Sequence, residues 1–121
     1  MSRITVSILG TEYKIIRKDY LDEPEFERKS LCGYCSYCDK TICVCNFSTM
    51  PGWQHETEEN CKSAENETLR HEVIHAFLNE SGLQDSTNIV DCGWSKNEEM
   101  IDWLAIQFPK IAKVFEELKI L

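Results

Sequence analysis

Ile4, Val6 and Ile8 alternate with Thr5 and Ser7, the period-two pattern of a strand with one buried face. Gly10-Thr11 offers a turn, and Tyr13, Lys14, Ile15 and Ile16 suit a second strand. From Asp19 to Ser30 the chain turns acidic and contains Pro24, which predicts a surface loop. Thr41 to Phe47 is rich in β-formers and predicts a third strand, with Ile42 and Val44 on one face and Cys43 and Cys45 on the other. Met50-Pro51-Gly52-Trp53 breaks that pattern, and a polar loop is expected to about Asn60.

The period then changes. Leu69, Val73, Ala76 and Phe77 recur at helical spacing, and Ile74 and Leu78 widen the apolar surface, so this helix is expected to be largely buried. Gly82 sits where a helix stop belongs. A second helical stretch begins near Asn97, with Ile101, Leu104, Phe108, Ile111, Phe115 and Leu118 three or four residues apart. Pro109 should kink or split it. Strands first and helices after predict an α+β fold, a small three-stranded sheet packed on the first helix and on a C-terminal helix. A chain of 121 residues fits one domain, residues 1–121, around one core.

The first helix carries His71-Glu72-Val73-Ile74-His75, an H-E-x-x-H sequence. Residues four apart share a helix face, about 6 Å along the axis, so two imidazoles can converge on one metal ion. Glu72 projects beside that ion, placed to take a proton from a water activated there. The bland alternative is a chance match on an ordinary helix. Against it, the chain has 3 histidines, two of them in the motif, and ionisable groups on an apolar helix are costly unless something binds them. A catalytic zinc takes three protein ligands and keeps one open position. Glu98 and Asp102, four apart at the start of the second helix, are the candidates: Glu98 to reach the metal, Asp102 to accept the free N–H of a metal-bound histidine. Glu99 is the reserve ligand, and a solvated acidic first turn is the competing explanation for all three.

Leu69 to Phe77, followed by Asn97-Glu98-Glu99-Met100-Ile101-Asp102, resembles the gluzincin clan of zinc metallopeptidases. The short chain resembles its compact minigluzincin versions and the zincin-like proteins of phages and mobile elements. The resemblance covers Thr41 to Ala105 well and the first 40 residues loosely. It implies Zn2+ as cofactor, a protein or peptide substrate, Glu98 as third ligand, Asp102 as its carboxylate neighbour and Glu72 as general base. It also implies a sheet over the motif helix whose edge strand, expected at Thr41 to Phe47, binds substrate as an added strand. His55, Tyr34 and Tyr37 are the candidates for stabilising a tetrahedral intermediate. The alternative function is a catalytically weak or inactive protein-binding module that keeps the metal for stability.

Seven cysteines add a second question. Cys32, Cys35 and Cys38, with Cys43 or Cys45, could supply the four ligands of a structural zinc and make the chain a zinc-ribbon adaptor; ordinary thiols are the simpler expectation. Cys61 and Cys92 are isolated. Trp53, Trp94 and Trp103 are expected to fill the core rather than line a cleft. A net charge of -8 argues against nucleic-acid or anionic-membrane partners. The amino terminus lacks the apolar run of a signal peptide and no apolar stretch reaches membrane length, so a cytoplasmic location and reduced cysteines are expected. The oligomeric state is open.

Overall fold

The computed structural model describes residues 2–84 and 93–121. Four strands, β1 (Ser2–Ile8), β2 (Thr11–Lys18), β3 (Gly33–Ser36) and β4 (Thr41–Cys45), form one sheet in the order β1-β2-β4-β3. The sheet therefore has four strands where the pattern of the sequence predicts three. β1 and β2 form an antiparallel hairpin, β2 and β4 run parallel, and β3 pairs antiparallel with β4. No described helix is long and apolar enough to cross a membrane.

Each face of β4 is buried for its own reason. Ile42 and Val44 join Ile8, Tyr13 and Ile15 against Ala76, with Leu69 and Val73 packed alongside. Cys43 and Cys45 face the other way and pack on Phe26, flanked by Tyr20, Leu31, Tyr34 and Met50. Phe26 comes from a short helix, α1 (Pro24–Arg28), where a loop is expected from composition. Pro24 is pre-set for a helix start, Glu23 caps it by accepting from Glu25 N–H, and one buried phenylalanine anchors it. β4 also stops short of Phe47, which begins a single tight turn (Phe47–Thr49) capped by Asn46.

The motif helix, α2 (Glu58–Leu78), starts well before its apolar spacing does. Its first half is polar, so periodicity cannot find it. Thr57 caps it by accepting from Asn60 N–H, and Glu65 ties it to β2, with Arg17 Nε 2.8 and 2.9 Å from the two carboxylate oxygens. Nor is the motif half buried all round: Glu72 and Ala76 are, but Phe77 is exposed. A wider turn, Asn79–Leu83, closes the helix, and Gly82 adopts φ 91°, a left-handed conformation that favours glycine.

A polar cluster fastens this end of α2 to the sheet. Lys40 Nζ and Tyr13 Oη both donate to Glu80 Oε2, at 2.9 and 2.7 Å. These bonds, Lys40's the stronger, hold the Glu80 carboxyl down at about 2. A folded-state value below the unfolded one gives stability that is present above about pH 4.5 and lost as pH falls towards 2. Replacing Glu80 by Gln should therefore flatten the acid-unfolding curve, followed by circular dichroism, across that window. An unchanged curve would show that other carboxylates govern acid stability.

The last helix, α3 (Glu98–Glu117), begins at the N-cap Asn97, whose side chain accepts from Met100 N–H. It runs through Pro109 without splitting. Proline cannot bond the carbonyl four residues back, which is that of Ala105. Arg70 Nε donates to that oxygen instead, at 2.6 Å. The carbonyl left over by Pro109 thus becomes the point at which α2 grips α3, one residue before His71.

Candidate metal centre

His71, Glu72 and His75 occupy the middle of α2. The four-residue spacing brings the two imidazole rings to 4.9 Å between centroids, with their Nε2 atoms 3.2 Å apart. Both Nδ1 atoms are already engaged. Asp102 Oδ1 lies 2.7 Å from His71 Nδ1, and the Ser95 carbonyl 2.8 Å from His75 Nδ1. An Nδ1–H spent on an acceptor fixes the tautomer and leaves Nε2 with its lone pair. The two Nε2 atoms face a common carboxylate: Glu98 Oε2 is 2.9 Å from His71 Nε2, and Glu98 Oε1 is 2.9 Å from His75 Nε2.

His71, Glu72 and His75 each offer a donor atom within 4.8 Å of the others, and the group could hold a metal ion. Glu72 is buried. Burial pushes its carboxyl up to about 7; the His71 ring opposes the rise and the carboxylates of Glu98 and Asp102 add to it. Glu99 is not among the residues lining the cleft around the motif.

That cleft has a volume of about 500 Å3. The motif face of α2 and Asn79 form its base, Ser95, Lys96 and Glu98 one wall, and β3 with Tyr37 and Cys38 the other. The edge strand is thus β3. The edge strand expected at Thr41 to Phe47 is instead β4 (Thr41–Cys45), which lies between β2 and β3 and pairs with both. β3 comes this close because residue 33 is glycine. A Cβ there would meet Thr68 Cγ2 at 2.8 Å, the Cys43 carbonyl at 3.1 Å and Glu72 Cγ at 3.5 Å. Any side chain at Gly33 would push the strand off the motif helix.

Cys32, Cys35, Cys38 and Cys43 form no group of converging donors among the described residues. The β3–β4 register explains this: Tyr34 sits opposite Cys43, and Cys35 opposite Ile42. Partners across an antiparallel pair point to the same face, so Cys35 and Cys43 point to opposite faces. All the described cysteines are free thiols, and burial pushes that of Cys35, in the cleft wall, up to about 12. Cys92 lies outside the described residues.

Of the phenols and histidine considered for an intermediate, Tyr34 and Tyr37 both line the cleft, but the Tyr34 Oη is spent donating to Glu23 at 2.8 Å, and His55 is exposed and not part of the lining. Trp53 packs edge-on to Phe47 at 4.9 Å, whereas Trp94 and Trp103 are exposed, contrary to expectation. Three contributors escape sequence reasoning. The Ser95 carbonyl is a backbone atom that no motif marks, Lys96 enters through chain path alone, and β3 is too short to show a period. Compared with known protein families, curated proteins and solved structures, the chain has no significant match.

Proposed function

We propose that this chain is a compact zinc-dependent metallopeptidase of gluzincin type, with His71, His75 and Glu98 holding the ion. One observation carries the reading: two imidazole Nε2 atoms 3.2 Å apart, each 2.9 Å from an oxygen of one carboxylate. Zinc bound to nitrogen at about 2.0–2.1 Å in tetrahedral geometry separates its ligands by roughly 3.3–3.4 Å. The spacing of the two Nε2 atoms is close to that edge, and the Nδ1 partners, Asp102 and Ser95, supply the outer bonds that such ligands use. Bound zinc supplies Lewis acidity, activating water near neutral pH and polarising a carbonyl.

The chain's own groups do the remaining work. Glu72, buried beside the two histidines, takes the proton of the attacking water and delivers it to the departing amine. β3, unpaired on its outer side among the described residues, runs along the cleft, where an extended peptide can add as a strand through main-chain hydrogen bonds. Tyr37 and Lys96, both in the lining, are the groups placed to meet developing negative charge.

The test is cleavage of a panel of peptides and unfolded proteins. Activity should vanish with chelator and return with zinc. The small volume of the cleft, about 500 Å3, supports a second reading, a binding module in which the metal only stabilises the fold. Full metal occupancy with no cleavage across the panel would select that reading over the peptidase.

A further inference from the structure

The apolar stripe expected to bury α3 does not do so. Of its members Ile101 is fully buried, while Phe108, Phe115 and Leu118 are exposed. Beyond Pro109 every residue of α3 from Lys113 onward is exposed. This distal stretch, with Val114, Ile120 and Leu121 also exposed, leads away from a groove of about 790 Å3 between α2 and α3. The groove is lined by Leu69, Val73, Ile74, Phe77, Leu104 and Phe108, among others. One chain therefore presents both an apolar groove and an apolar helix end.

We infer that the occupant of the groove is the distal half of α3 from a second copy of this chain, in a two-fold dimer where each helix end fills its partner's groove. Two observations favour a second copy. First, the distal half cannot reach its own groove, because α3 is unbroken and spans about 30 Å, with its first half forming the groove wall. Second, the area suffices. Phe77, Phe108 and Phe115 are 43%, 49% and 40% exposed, and Val114, Leu118, Ile120 and Leu121 are 49%, 63%, 66% and 73% exposed. Taking ~200 Å2 per aromatic and ~100 Å2 per aliphatic side chain, each copy offers roughly 500 Å2. Complete burial of these side chains removes about 1,000 Å2 over the pair before rim residues are counted, the floor for a biological interface. A two-fold axis makes both contacts at once and closes the assembly.

Sedimentation velocity of the full chain across the micromolar range tests this. The wild-type protein should sediment at twice the 14.1 kDa chain mass. Phe115→Glu on the helix and Phe77→Glu in the groove should each weaken association at least tenfold. Both side chains are already exposed, so the variants should keep the wild-type circular dichroism. Leu21→Glu, at an exposed position outside the strip, should stay dimeric. A mixture of the two charged variants should associate again, because it retains one intact helix end and one intact groove. A wild-type monomer at every concentration would overturn the inference and leave the strip to a different protein. A dimer surviving both substitutions, or a mixture that stays monomeric, would overturn the helix-in-groove arrangement.

Discussion

The Glu72→Gln protein should take up metal as the wild type does and lose about 100- to 10,000-fold in kcat, the range a positioned acid–base residue contributes. Glutamine keeps the shape and the hydrogen-bonding reach of glutamate but cannot accept a proton. The metal should stay because the proposed ligands, His71, His75 and Glu98, are untouched and their 2.9 and 3.2 Å spacings do not depend on Glu72. Stability should hold or rise, since Glu72 is buried and burial works against its charged form. Activity falling while stability is kept separates a chemical role from a structural one. The measurements are kcat on a cleaved peptide, metal per chain by elemental analysis, and Tm. Wild-type kcat in this variant would sink the proposed mechanism.

His75→Ala should abolish metal binding. It removes one of two converging imidazoles and the bond from Nδ1 to the Ser95 carbonyl, which ties α2 to the segment before α3. A site reduced from three protein ligands to two loses most of its affinity, and Glu98 then faces a single imidazole. Elemental analysis after dialysis should fall from about one metal per chain to near none. Chelator should lower the Tm of the wild type, because a ligand present at 1,000 times its Kd stabilises by about 4 kcal/mol. The variant's Tm should not respond to chelator. One metal per chain retained by His75→Ala would place the ion elsewhere and remove the basis of the proposed function.

Much of the candidate site was legible because its residues sit close in sequence on regular helices. The spacing of His71 and His75 by itself sets two imidazoles on one face, and the same spacing pairs Glu98 with Asp102. What spacing cannot give is rotation. That Glu98, and not Glu99, turns towards the histidines follows from how α3 lies on α2, and the bond from Arg70 to the Ala105 carbonyl is part of that packing. The sheet was harder to read. β1, β2 and β4 show β-rich or alternating residues, but β3 has four residues and a glycine, too little for a period. The polar first half of α2 is held by a cap and by Glu65, neither of which leaves an apolar repeat.

By itself the sequence determined the local facts: which segments turn helical near the motif, which side chains share a face, where Gly82 ends a helix, and that Ile42 and Val44 oppose Cys43 and Cys45. The tertiary structure alone decided the long-range ones. It put β4 inside the sheet and β3 at its edge, sent Cys35 and Cys43 to opposite faces, brought the Ser95 carbonyl to His75, and left the distal stripe of α3 uncovered. The division has a physical cause. Periodicity and capping depend on neighbours within a turn or two of chain. Strand order, helix rotation and burial depend on contacts between segments far apart in sequence, and no local pattern encodes them.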